Sequence, residues 1–351
     1  MRVALLYNLA ENAPQPKSNA PHDVLYELDH PGNVAAYKAA LEAHGHVVFP
    51  MEGDARLAQR LKDLAIDICF NTCEGFRGDS REAQAPALLE MLGYPYSGSK
   101  VLALALTLDK AMTKRVLAYH DLPTPAFQEF TFADEVLDPR LAAKFPLFAK
   151  PNGEGTGMGI DEQSILHNEH ELRERVAYLL NAYQGPALVE QYIEGNDATV
   201  GIIGNWPDLH IFPISMIDHS VYDETGVHVY GSVLKVDRAD AYQYHCPALI
   251  PDTLAEELRR LAVATMRVTG TLDFARVDFR MDKHDGNKPY ILEINSLPGI
   301  TPISDLTLMA QADGWTHADL VYSVFEAALK RLGLQFDLPA TIEQKEYVVV
   351  R

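Results

Sequence analysis

The stretch ARVDFRMDKHDGNKPYILEIN (275–295) decides the fold of this chain. Two runs of alternating apolar and polar residues flank DKHDGNKP, and Asp285-Gly286 is a strong turn signal, so the stretch reads as a β-hairpin. Side chains alternate between the faces of a strand. Arg276, Asp278 and Arg280 therefore share one face, and Glu293 and Asn295 share one face of the partner strand. Hairpin registers bring Asp278 close to Glu293, and adjacent carboxylates in a sheet interior are costly unless a cation or a guanidinium neutralises them. A hard divalent ion does this with oxygen ligands. The alternative is a salt-bridge network with Arg276 and Arg280 on a solvated face. The break at Pro298-Gly299, directly after the strand, favours the ion, because it exposes backbone N–H groups beside it.

Upstream, FAKPNGEGTGMGI (148–160) ends an apolar strand at Lys150 and then alternates glycine with other residues at Gly153, Gly155, Gly157 and Gly159. Such a loop lets the backbone approach a ligand and turn several N–H groups toward one anion; a plain flexible turn is the other reading. It is neither a P-loop nor a dinucleotide fingerprint. Lys110 lies in the first turn of a helix, where its charge opposes the helix dipole unless an anion sits there too; a solvated lysine is the alternative. LVEQYIEGND (188–197) offers a strand end whose backbone can read a purine edge, with Glu190, Glu194 and Asp197 as acceptors; an edge strand with an acidic turn is the alternative.

Around these motifs the first hundred residues alternate strand and helix signals, as a parallel sheet with crossover helices requires. The turn-rich GYPYSGS (93–99) marks a boundary. We read residues 1–99 as a substrate-side α/β domain, 100–186 as a central unit with the Gly-rich loop, 187–335 as a third unit with the hairpin, and 336–351 as a tail. The fold class is α/β (α+β), with an N-terminal parallel sheet.

Composition narrows the function. A chain of 351 residues with 47% hydrophobic residues can bury a large core, and its net charge of −19 argues against a nucleic-acid surface. No apolar stretch approaches the roughly 18 residues of a membrane span, and MRVALLYN lacks the regions of a signal peptide. The three cysteines, Cys69, Cys73 and Cys246, fit a reducing compartment. The expectation is a cytoplasmic protein acting on small molecules, without nucleic-acid or membrane partners.

The order of motifs resembles the ATP-grasp superfamily, and within it the D-alanine:D-alanine ligases. The matching stretches are EGFRGDSREAQAPALLEMLGYPYSGS (74–99), LTLDKAMTK (106–114), FAKPNGEGTGMGI, LVEQYIEGNDATVGIIGN (188–205), ARVDF and LEINSLPGITPIS (292–304). The resemblance implies a three-domain ATP-grasp fold and a ligase that joins a carboxylate to an amine through an acyl phosphate. It implies ATP and two Mg²⁺ ions, with Mn²⁺ as a substitute, and pairing of two chains through the first domain. Lys110, Lys150, Gly155, Thr156, Gly157 and Lys235 would meet the phosphates. Glu190, Gln191, Tyr192 and Ile193 would meet adenine, and Asp197 the ribose. Asp278, Glu293 and Asn295 would hold the metal. Arg276, the Gly299 N–H and Thr156 would serve catalysis, while Glu74, Arg276 and Ser304 would meet substrate.

The departures cluster on the amino-acid pockets. The chain reads NLAENAPQPKSNAPHDVLYELDHPG (8–32) where the family has a short loop with a glutamate, leaving Glu11 as a poor match. Glu74 replaces a histidine, Thr156 a serine, and Asp305 an apolar residue. Glu74, Arg81 and Asp305 point to a charged or larger first substrate; solvated loop residues or helix caps are the alternative.

Overall fold

A computed structural model describes residues 1–16, 20–219 and 243–335. Lys235 and the 336–351 tail lie outside the described residues.

The first sheet is small and parallel. β1 (Arg2–Tyr7) sits between β2 (Val47–Glu52) and β3 (Ile68–Asn71). Helices α1 (Pro31–Glu42) and α2 (Leu57–Lys62) make the crossovers, and α3 (Gln84–Leu92) follows. Pro86 lies in the first turn of α3, where its missing N–H costs nothing. Two helices then run end to end: α4 (Val101–Leu108) and α5 (Lys110–Tyr119), separated by Asp109, whose side chain caps α5 by accepting from the Met112 N–H at 2.9 Å.

The second sheet has the order β4-β7-β5-β6, from β4 (Phe127–Phe130), β5 (Leu147–Pro151), β6 (Ile165–Leu166) and β7 (Ala187–Gln191). Helices α6 (Pro139–Ala142) and α7 (Glu169–Tyr183) belong to this unit, and Leu172, Val176 and Leu179 of α7 pack on Leu147, Ala149 and Val189 of the sheet. β7, which follows the 186/187 boundary read from sequence, hydrogen-bonds between β4 and β5.

The third sheet is antiparallel and holds β8 (Asp197–Asn205), β9 (Asp208–Ile211), β10 (Ser215–Asp218), β11 (Gln243–His245), β12 (Phe274–Asp282) and β13 (Lys288–Asn295). Its order is β11-β10-β8-β12-β13, with β9 paired to β8. The long amphipathic α8 (Asp252–Thr269) covers one face through Leu258, Leu261 and Met266. The last helices, α9 (Asp305–Ala312) and α10 (His317–Leu332), return to the first sheet. Val321, Val324 and Phe325 of α10 share a core with Val3, Leu5 and Phe70.

This return is pinned by charge. Asp273, fully buried, accepts from Arg331 Nε at 2.7 Å and from a terminal guanidinium nitrogen at 2.7 Å, and Arg331 also donates to the Tyr96 carbonyl at 3.0 Å. Asp273 further accepts from the Gly98 N–H and from Asn205 Nδ2, both at 2.8 Å. One carboxylate thus ties the first unit, the third sheet and α10 together.

Candidate active site

The hairpin sits at the floor of the site. Asp278 stands opposite Glu293, and Arg276 opposite Asn295. The register shifts after Asp278, so that Phe279 faces Ile291 and Leu292 is the extra residue. A bulge of this kind turns consecutive side chains toward one face, and Leu292 and Glu293 both line the same cleft.

Each carboxylate has its own cation. The Arg276 guanidinium grips Asp278 through Nε at 3.1 Å and a terminal nitrogen at 2.9 Å, and reaches Asp305 at 3.7 Å. Burial works against the Arg276 charge, but Asp278 and Asp305 outweigh it and hold its pKa above the ordinary value. Asp278 also accepts from Thr199 Oγ1 at 3.0 Å and Asn295 Nδ2 at 3.1 Å. Glu293 lies 3.5 Å from Lys110 Nζ, which donates to the Glu154 carbonyl at 2.5 Å. Lys110 is the first residue of α5, and these oxygens offset the unfavourable helix dipole.

A second charge group lies beneath the Gly-rich loop. Glu190 bridges Lys150, at 2.9 Å, and Lys114, at 2.7 Å, all three being buried. Burial alone would neutralise them. For Glu190 the two lysines overcome it and lower its pKa; for Lys150 the carboxylates overcome it and raise the pKa; for Lys114 burial prevails and lowers it. The sequence reading passed over Lys114, although it stands four residues after Lys110 and so shares its face of α5. Both Glu190 oxygens face lysines, so the Glu190 side chain is not free to face a ligand at this strand end. There the N–H groups of Gln191 and Tyr192 are bonded to the carbonyls of Ala126 and Pro146.

Two clefts meet over this floor. One is lined by Phe148, Met158, Tyr192, Ile193, Ile217 and Leu292, an apolar slot with Lys150 and Asp197 at its polar margin. The Phe148 and Tyr192 rings are stacked, with centroids 6.2 Å apart. Asp197 is held by Arg280 at 2.6 Å and His219 at 2.8 Å. The other cleft is lined by Glu27, Glu74, Glu82, Arg276, Asn295, Gly299 and Ser304. Lys110, Gly155, Glu293 and Asp305 line both.

The loop between them has the left-handed backbone that its glycines permit. Gly157 and Gly159 have φ of 72° and 67°, and Thr156 adopts φ 51°, a conformation uncommon outside glycine. A Cβ at Gly159 would press on Pro151 and Tyr183, and one at Gly155 would collide with the Glu27 carboxylate.

Most sequence-read site residues converge here. Ser304 lines the second cleft but also caps α9, accepting from the Thr307 N–H at 3.4 Å while donating to the Thr301 carbonyl. Glu11, the poor match, is exposed in a 3-10 turn (Ala10–Asn12) and lines neither cleft, whereas Glu27 from the same long stretch lines the second. The donor set of Asp278, Glu293 and Asn295 is all oxygen, as a hard divalent cation prefers.

Comparisons with known proteins identify the family. The family profile described as D-ala D-ala ligase C-terminus matches residues 116–326. D-alanine–D-alanine ligase of Pelotomaculum thermopropionicum is 33% identical over 305 residues, covering 84% of this chain and 91% of its own. That of Cupriavidus metallidurans is 34% identical over 293 residues, covering 83% and 84%. An uncharacterized protein of Sinorhizobium fredii, y4sG, is 30% identical and covers 94% of this chain and 98% of its own. The crystal structure of D-alanine–D-alanine ligase from Bacillus anthracis complexed with ATP has the same fold, with a TM-score of 0.72 at 23% identity, over 94% of this chain and 98% of that one. The chain therefore belongs to the D-alanine–D-alanine ligase family, and with it to the ATP-dependent ligases.

Proposed function

We propose that this ligase phosphorylates the carboxylate of one amino acid at the expense of ATP and joins it to the amine of a second. The observation that carries the proposal is the wall shared by the two clefts: Lys110, Gly155 and Glu293 line both the apolar slot, which we assign to the nucleotide base, and the polar pocket, which we assign to the substrate. A phosphate passing from one to the other crosses that wall.

Asp278, Glu293 and Asn295 would hold Mg²⁺, two ions in our reading. A bound divalent ion supplies neutralisation of phosphate charge, on which phosphoryl transfer chiefly depends. Around it, Lys110 and Lys150 bind phosphate oxygens, Gly155, Thr156 and Gly157 cover them, and the backbone at Gln191 to Ile193 meets adenine with Asp197 toward the ribose. Glu190 acts by fixing Lys150 and Lys114. The phosphorylated carboxylate then loses phosphate as the second amine bonds to its carbonyl carbon. Arg276 and the Gly299 N–H stabilise the oxyanion that develops there, and Ser304 faces the second amino acid's carboxylate. Relatives named D-alanine–D-alanine ligase make D-alanine the first choice for that second substrate. We extend the proposal to a homodimer formed through the first unit, which sedimentation would test.

The direct test is ADP release by the purified protein with paired amino acids, Asp278→Ala serving as the blank. Release above the blank with at least one pair is expected. No pair exceeding the blank would remove the ligase assignment.

A further inference from the structure

One end of the polar cleft is built by residues at which this chain departs from the family's pattern. Tyr26 and Glu27 come from the long stretch after β1, and Glu74 and Glu82 from the end of the first unit; all line the cleft with Arg276 and Gly299. Asp23, from the same stretch as Glu27, accepts from the Gly159 N–H at 3.1 Å and from the Tyr183 hydroxyl at 3.1 Å, so this segment is fastened to the Gly-rich loop.

The cations at this end are already engaged. Arg81 donates to Glu27 at 2.5 Å, to Glu154 at 3.1 Å and to the Gly153 carbonyl at 2.8 Å. Lys110 is held by Glu293 and the Glu154 carbonyl. Glu74 and Glu82 make no hydrogen bond or ion pair among the described residues. Both are half-buried, and burial is the largest influence raising their pKa; Glu82 and Glu27 raise Glu74 further and Glu27 and Glu154 raise Glu82, while Arg81 pulls against both from a distance and Lys110 against Glu82. Glu27 and Glu154 share the one guanidinium, so two carboxyl groups facing the cleft are left to a ligand. Carboxylates in such a setting require a proton or a cation, and an amino acid with a neutral side chain brings only one ammonium.

Building on the ligase assignment, we infer that the substrate whose carboxylate is phosphorylated is a basic amino acid, its two cationic groups directed to Glu74 and Glu82. The carboxylate of such a molecule is directed to Arg276 and the Gly299 N–H, which line the same cleft, so the pocket's charge sorts the two ends of the substrate. D-alanine would remain acceptable as the second substrate, because these acids lie on the first-substrate side.

Two measurements test this. The first is kcat/KM for ADP release with D-alanine as partner and, as first substrate, both enantiomers of 2,3-diaminopropionate, ornithine, lysine and arginine, with alanine and the side-chain N-acetylated diamino acids as neutral controls. The second is calorimetric binding of the same compounds in the presence of a non-hydrolysable ATP analogue. At least one basic acid should exceed its acetylated form by about 100-fold, the equivalent of two tenfold steps in affinity. Glu82→Gln and Glu74→Gln should each cut that ratio at least tenfold while leaving KM for ATP in place. Faster turnover of alanine or of the acetylated acids, or a ratio unmoved in both variants, overturns the inference. Binding of a basic acid without turnover with any partner supports the pocket and removes the ligase assignment instead; if no basic acid binds or is turned over, the inference falls.

Discussion

Asp278 and Glu293 face each other across β12 and β13, yet each is compensated from its own side, Asp278 by Arg276 and Glu293 by Lys110. In the proposed site the pair binds a divalent ion, and no bare charge is left when the ion departs. Asp278→Asn keeps the shape but removes the charge. The Mg²⁺ concentration giving half-maximal ADP release should rise by at least about tenfold, and kcat should fall by roughly 10²-fold or more, as when one preorganised electrostatic group is lost. A titration of rate against Mg²⁺ reads both.

In the proposed reaction Arg276 also stabilises the developing oxyanion. Arg276→Met should lower kcat by about 10²–10³-fold with little change in KM for ATP, since the interaction is made in the transition state. Steady-state kinetics with ATP varied separates this from a folding defect, which circular dichroism would reveal.

Glu190 holds two buried lysines at once. Replacing it with glutamine leaves both ammonium groups without a carboxylate, and the cost should be about 3–5 kcal/mol of folding stability. Urea denaturation measures it. Because Lys150 loses its anchor, KM for ATP should rise in the same variant.

Arg331→Ala makes a comparable test far from the clefts. It leaves the buried Asp273 without its guanidinium, and a loss of about 3–5 kcal/mol is expected. The fraction that remains folded should keep its KM values.

Glu82 sets a pH dependence. Burial, with Glu27 and Glu154 beside it, raises its pKa from the ordinary 4.5 to about 8, against the pull of Arg81 and Lys110. Between those values the folded state keeps a proton that the unfolded chain has lost, so stability falls as pH rises from 4.5 to about 8 and stays low above it. Glu82→Gln should match the parent near pH 4.5 and melt higher at pH 9, by roughly 2–4 °C for each kcal/mol relieved. Scanning calorimetry at the two pH values checks the sign.

Much of the floor of the site was legible because it obeys local rules. Period-two alternation and Asp285-Gly286 identify the hairpin, and its face assignment brings Arg276, Asp278, Glu293 and Asn295 together. What escaped depends on distant pairing or on featureless patterns. The run at Ala187–Gln191 declares a strand but not its neighbours, and it joined β4 and β5. VLALALTL (101–108) is apolar on nearly every side, so α4 shows no helical periodicity. Helix α9 is capped by Ser304, a residue read first for its substrate role and not as a cap. Glu27 lies in a proline-rich stretch without periodicity, and its partner Arg81 is 54 residues away.

The fastening of Asp23 to Gly159, and of Arg81 to Gly153, has a consequence for protein engineering. Exchanging the first hundred residues with those of a relative would cut contacts that brace both ends of the Gly-rich loop. A chimera should move residues 20–29, 74–82 and 153–159 as one cassette; grafted separately, they would give a ligase whose parts fold but whose Gly-rich loop has lost its splint.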